Sequence, residues 1–164
     1  MTGQKTNVAL DDAAQTIVIT RTFDAPRDRV FRAFTDPQEL AQWWGPEGWT
    51  TETHAHDLRP GGLWHYCMRG PGGMESWGKS TYHEVTPPAR YVYSDAFSDA
   101  EGNPVAGMPT MMITNEFTER DGKTTVTSTT QFASEADMRK VVEMGVATGI
   151  TQTWERLAVY LGGE

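Results

Sequence analysis

The sequence predicts an α+β domain in which a curved antiparallel sheet wraps around one long C-terminal helix, with the element order β-α-α-β6-α. Three observations carry this. Residues 49–133 follow a period-two pattern punctuated by turn residues, as half-buried strands do. Residues 135–161 instead carry a helical stripe of apolar positions. The loops between the strands are mostly short, which favours antiparallel neighbours in a meander.

Residues 1–14 are polar and aperiodic and read as a flexible tail, leaving residues 15–164 as a single domain. "TIVITRTFD" (16–24) alternates and is β-branched, so it reads as the first strand. Pro26 then opens a helix whose Val30, Phe31 and Phe34 share one face. In "DPQELAQWWGP" Asp36 is the expected N-cap of a second helix, with Pro37 at its first position and Glu39 as capping-box partner. Leu40, Trp43 and Trp44 fall on one side of it, and Gly45-Pro46 ends it.

Six strands follow, at 49–58, 63–69, 75–85, 90–97, 110–119 and 123–133. "RPGG", "GPGG", "TPP" and "RDG" mark the tight turns, and the Gly- and Pro-rich segment 98–109 is a longer rim loop. The last helix is expected to run unbroken over 135–161, capped by Ser134 with Asp137 at the box position. Met138, Val141, Val142, Gly145, Gly149, Trp154, Leu157, Ala158 and Leu161 make its inward stripe. Gly145 and Gly149 stand out, because each costs a helix about 1 kcal/mol relative to Ala. On an inward face they either let the helix approach the sheet or leave space.

Composition narrows the function. The net charge is −8, from 22 acidic and 14 basic residues, and no Lys/Arg run offsets it. Nucleic acid and anionic membranes are therefore not expected partners. A single cysteine, Cys67, excludes an internal disulfide framework and a cysteine metal cluster. Without a signal-like apolar run or a stretch of ~20 apolar residues, a cytoplasmic location is expected.

Six tryptophans and eight methionines are the conspicuous apolar content, with three tryptophans packed into "LAQWWGPEGWT" (40–50). Such residues fill irregular cores or line hollows. Trp43 is assigned to the core and Trp44 to a cavity, while Trp49 is either a rim residue or a clamp on the turn. His54 and His56 lie two apart on a strand, so they share a face, and with Asp57 they faintly suggest a metal site. Two histidines fall short of the three or four ligands that zinc sites use, so no metal is expected. His65 and His83 are read as structural, and Arg59, Gly61 and Gly62 as a hairpin corner. For acid–base chemistry, Glu116, Asp95, His65, Tyr82 and Arg139 are candidates by position, and spacing does not separate them.

The chain resembles the START-like helix-grip (SRPBCC) superfamily, in the branch related to the activator of the heat-shock protein 90 ATPase. The matching stretches are "ITRTFDAPRDRVFRAFTDPQELAQWWGPEGWT" (19–50), "DLRPGGLWHYCM" (57–68), "GKSTYHEVTPPARYVYSDAF" (78–97), "GMPTMMITNEFTERDGKTTVTSTTQF" (107–132) and "GVATGITQTWERLAVYL" (145–161). The resemblance implies an incomplete barrel gripping a helix around a deep apolar cavity that binds hydrophobic small molecules. It implies two alternatives as well: a cyclase or dehydrase acting on a polyketide-like or aromatic substrate, and a co-chaperone-like interaction module, which would connect the protein to the stress response. The expected cavity lining is Trp44, Trp64, Tyr66, Met68, Trp77, Tyr93, Met112, Gly145, Gly149 and Trp154. No cofactor, nucleotide or metal is expected. The expected partner is a hydrophobic small molecule, with a homodimer left open.

Overall fold

The computed structural model describes residues 5–162. Its strands are β1 (Asn7–Asp11), β2 (Thr16–Phe23), β3 (Thr50–His56), β4 (Leu63–Arg69), β5 (Glu75–Thr86), β6 (Arg90–Ser98), β7 (Thr110–Arg120) and β8 (Lys123–Gln131). Its helices are α1 (Arg27–Thr35), α2 (Pro37–Trp43), α3 (Glu135–Glu143) and α4 (Val146–Gly162). The strands form one eight-stranded antiparallel sheet in the order β1-β2-β8-β7-β6-β5-β4-β3. The meander from β3 to β8 is sequential, and the β1–β2 hairpin joins it through β8, with Thr16 opposite Gln131 and Phe23 opposite Thr124. The sheet is curved and unclosed, and the helices cover its concave face. Among the described residues no helix is long and apolar enough to cross a membrane.

Two expectations need correction. Part of the supposed tail is β1, which pairs with β2 from Asn7↔Thr20 to Asp11↔Thr16. As a largely exposed edge strand it buries little on either face, so it lacks the alternation that marks other strands. The long terminal helix is two helices. Gly145 adopts φ +88°, which terminates α3, and glycine takes this left-handed conformation without a Cβ penalty. The residues before Gly145 belong to α3 and those after it to α4, so the single stripe drawn through both is broken there.

The strand pattern explains the interior. Ile17, Ile19 and Phe23 on β2, Tyr91 and Tyr93 on β6, Ile113 and Phe117 on β7, and Val126 on β8 are all buried, two residues apart or multiples of two, as one sheet face requires. At one end this face meets a solid aromatic core. Phe34 packs edge-on against Trp43, Phe117 and Trp154, with ring centroids 5.0, 5.3 and 5.9 Å away. Trp154, Leu157 and Leu161 hold the C-terminal half of α4 there. The N-terminal half carries Ala147, Gly149 and Ile150 instead, and these smaller residues leave the sheet uncovered.

Candidate functional site

A cavity of ≈ 250 Å³ lies where the small residues of α4 face the sheet. Its sheet wall comes from Ile17 and Ile19 of β2, Tyr66 and Met68 of β4, Tyr93, Asp95 and Phe97 of β6, Met111 and Ile113 of β7, and Ser128 and Thr130 of β8. The helical wall is Val141 of α3 and Val146, Ala147, Gly149, Ile150 and Thr153 of α4, with Phe132 between sheet and helix. Trp44, Gly45 and Pro46 close the remaining side. Most of the surface is aliphatic or aromatic, while Asp95, Ser128 and Thr130 place polar groups on the sheet side.

The closing segment follows from its local sequence. Asp36 caps α2, its side chain accepting from the Gln38 amide at 2.9 Å. Glu39 does not complete the expected capping box. Its carboxylate instead binds Arg29 and Arg32 of α1, and Tyr160 of α4 donates to it at 3.0 Å. Trp43 is fully buried and its indole N–H donates to the Ala33 carbonyl at 3.0 Å. Trp44, one residue on, turns toward the cavity, packing edge-on against Trp64 at 5.2 Å and donating from its indole to the Tyr66 hydroxyl. Gly45, at φ +98°, reverses the chain beside Met68.

Arg156 locks this turn to α4. Its Nη1 lies 2.8 Å from the Gly45 carbonyl, 3.1 Å from those of Pro46 and Trp49, and 3.4 Å from that of Trp44. One guanidinium thus serves the carbonyls of the turn that follows α2. Trp49 covers Gly70, where any Cβ would meet its ring at 2.5 Å, so it acts as a clamp on the turn. Arg156→Ala is expected to cost about 2 kcal/mol, the loss of charge-assisted hydrogen bonds. It should also expose the cavity, seen as faster amide exchange at residues 44–50. Unchanged exchange there would contradict the clamp.

Of the expected lining residues, Trp44, Tyr66, Met68, Tyr93 and Gly149 border the cavity. The other five sit elsewhere. Trp64 lies behind Tyr66, stacked on it at 4.0 Å, with its indole donating to Thr53. Trp77 is on the opposite sheet face, against His54 and His65, and borders only a small side cleft. Met112 points away from the cavity and is 43% exposed, and its neighbour Met111 is the inward residue. Trp154 belongs to the solid aromatic core. Gly145 faces open space, with nothing within 4 Å of an added Cβ. A larger residue there would strain the backbone, and it would not overpack the helix against the sheet.

The acid–base candidates separate in the same way. Glu116 pairs with Arg90 and Arg139 with Glu135 at the exposed surface. His65 is buried on the outer face beneath the 98–109 loop, its Nε2 3.1 Å from the Asp99 carbonyl. Tyr82 faces inward but lies outside the cavity, its hydroxyl 3.4 Å from His56 Nε2. Only Asp95 enters the cavity. Ser80 Oγ donates to its Oδ1 at 3.2 Å and the Ala96 amide contributes a further hydrogen bond. Burial pushes its carboxyl up from 3.8 to about 7. Burial likewise drives the Tyr66 and Tyr93 phenols well above their usual range.

The faint metal pattern comes apart at a bulge. The β3–β4 register shifts between Thr53 and Ala55, which sends His54 to the outer face with His65 and Trp77 and His56 to Tyr82. Asp57 pairs with Arg59 at 2.6 Å. Among the described residues no three His, Cys, Asp or Glu side chains converge.

Sequence reasoning missed Met111, Ile113, Ser128, Thr130 and Phe132 as lining. Strand parity held the signal, since Ile113 and Phe117 are four residues apart on one face, and Met111, two before Ile113, shares that face while Met112 does not.

Comparison with known proteins fits this geometry. Residues 24–162 match the family described as activator of Hsp90 ATPase homolog 1-like protein. Protein Ms6760 from Mycobacterium smegmatis is similar at 33% identity and TM-score 0.88, covering 94% of this chain and 95% of that one. A protein from Arthrobacter aurescens is similar at 30% identity and TM-score 0.91, with 96% and 92% covered. One from Staphylococcus epidermidis is similar at 34% identity and TM-score 0.82, with 94% of each chain covered. No protein of curated function matches. The unclosed sheet, the helix it grips and the match over 24–162 agree: the chain belongs to the activator of Hsp90 ATPase homolog 1-like family, within the START-like helix-grip superfamily.

Proposed function

We propose that the protein binds an apolar small molecule in the cavity between the sheet and the α3–α4 pair. The observation that carries this is the ≈ 250 Å³ hollow in an otherwise close-packed interior, walled by Trp44, Tyr66, Met68, Phe97, Met111 and Ile150. Interiors of this kind contain few voids larger than a water molecule, and an apolar hollow with a few polar groups suits a small ligand. The proposed setting is the cytoplasm, without nucleic acid, metal or cofactor.

Gly149 supplies the test. It sits inside α4, and an added Cβ makes only ordinary contact with Pro46 at 3.9 Å. Gly149→Ala is therefore expected to keep binding and to stabilise the helix by up to about 1 kcal/mol. Gly149→Leu should place its branches in the cavity and weaken binding of the neutral probe N-phenyl-1-naphthylamine, read by fluorescence titration. Equal probe affinity in wild type and the Leu variant would remove the cavity reading. Native mass spectrometry of freshly purified protein would show the class of any retained ligand.

The cyclase or dehydrase alternative gains one specific observation, the carboxyl of Asp95 inside the cavity. A group titrating near neutrality suits general acid–base work, but Asp95 hydrogen-bonds toward the sheet, to Ser80 and the Ala96 amide. Binding remains the function that the geometry supports best.

A further inference from the structure

We propose that the ligand of this cavity carries a basic nitrogen, with Asp95 receiving its ammonium head while the apolar body lies against α3 and α4. The inference rests on the reading of the cavity as a ligand site and goes further by naming the ligand's chemistry.

The two walls differ in kind. The helices offer Val141, Val146, Ala147 and Ile150, with no charged side chain. The sheet offers a single ionisable acid, Asp95, held in place by Ser80. Among the described residues no Lys, Arg or His pairs with Asp95, whereas the buried guanidinium of Arg21 has Glu155 at 2.7 Å. A carboxylate facing an apolar hollow without a cation is costly, and a ligand cation would offset that cost with a charge-assisted hydrogen bond. The titratable groups around Asp95 are tyrosines: Tyr66 from β4, Tyr82 from β5, and Tyr91 and Tyr93 from β6. The neighbouring inward residues of β7 and β8 are Met111, Ile113, Ser128 and Thr130. None competes as a cation, and aromatic ring faces attract one.

Space is arranged to match. A second hollow of ≈ 40 Å³ adjoins the main one and shares Asp95, Tyr66, Met68, Phe97 and Met111 with it. It is large enough for a group the size of a water molecule, whose share of liquid volume is about 30 Å³, and too small for a ring. Gly78 borders it and lets the Tyr66 ring lie flat against β5, since a Cβ there would strike that ring at 2.6 Å. A carboxylate between a small cleft and a large apolar hollow fits a compact cationic head on a bulky apolar body. The same carboxylate disfavours an anionic ligand.

The test uses three probes of similar shape, 1-naphthylmethylamine, 1-naphthylmethanol and 1-naphthylacetate, titrated by calorimetry at pH 8. The amine is expected to bind at least about tenfold more tightly than the alcohol, as a charge-assisted bond worth at least about 1.4 kcal/mol gives. The acetate should bind most weakly. Asp95→Asn should bring the amine and alcohol affinities within about twofold of each other. Wild-type protein alone gives a second measurement. Amine binding requires the ionised carboxyl, so affinity should rise about tenfold per pH unit below 7 and level off above it, while alcohol affinity stays flat. If the alcohol binds and the amine binds no better, or the amine's affinity is flat or falls with pH, the amine proposal is overturned and the apolar cavity stands. If no probe binds, and N-phenyl-1-naphthylamine does not bind either, both readings are overturned.

Discussion

Replacing Trp43 by Ala is expected to destabilise the protein by about 3–5 kcal/mol, the range for truncating a large buried aromatic. Trp43 has no exposed surface. Its ring packs on Phe34 at 5.0 Å and on Trp44 at 5.5 Å, and its N–H is satisfied by Ala33. Truncation would leave a void between α1 and α2 and a buried carbonyl without its donor. Trp44→Ala is the informative companion. Trp44 is only half-buried and borders the cavity, so its removal should cost less stability and enlarge the hollow. Urea unfolding of both variants, paired with N-phenyl-1-naphthylamine titration, reads the difference. Equal, small losses with unchanged probe binding would mean that the pair is not an end-seal on a hollow.

Stability should also fall as pH rises through neutrality, and Asp95 should be responsible. Its carboxyl sits at 3.8 in the unfolded reference and about 7 in the folded protein because burial disfavours the charge. Between those values the folded chain keeps a proton that the unfolded chain has released. The group's contribution is therefore present at lower pH and lost as pH climbs through 7. From pH 5 to pH 8 the loss is about 3 kcal/mol. Asn has the shape of Asp and no charge, so Asp95→Asn should lack this component. The difference between variant and wild-type unfolding free energy should shift by that amount in the variant's favour. Parallel stability–pH profiles would mean that the carboxyl is better solvated than the fold suggests.

The sequence foretold the elements that bury a face and failed where burial gives no pattern. The six strands from 49 to 133 were legible because alternation and turn residues agree. β1 was not, since an edge strand exposed along most of its length has no apolar parity to read. The break at Gly145 was hidden because apolar spacing continues on either side, and one glycine is compatible with both a helix interior and its end. Within the site, Trp44 and Gly149 border the cavity, whereas Trp77 and Met112 have the parity of the outer sheet face. Parity also held the answer for Asp95. Tyr91 and Tyr93 point inward, so the acid two positions further on does as well, a distinction that residue type alone does not supply. The bulge at Thr53/Ala55 that separates the two histidines leaves no comparable mark in composition.

The pairing of β2 with β8 has a consequence for how the chain is made. Thr16 meets Gln131 and Phe23 meets Thr124, so the β1–β2 hairpin must wait for roughly a hundred further residues before its inner neighbour exists. At about 5–20 residues per second, the "TIVIT" segment spends about 5–20 s on the ribosome with one side of its backbone unpaired. That segment has the β-branched, uncharged make-up that promotes association between nascent chains. β1, with its polar ends Asn7 and Asp11, pairs with the other side of β2, so wherever that hairpin has closed only one edge of the segment is left open.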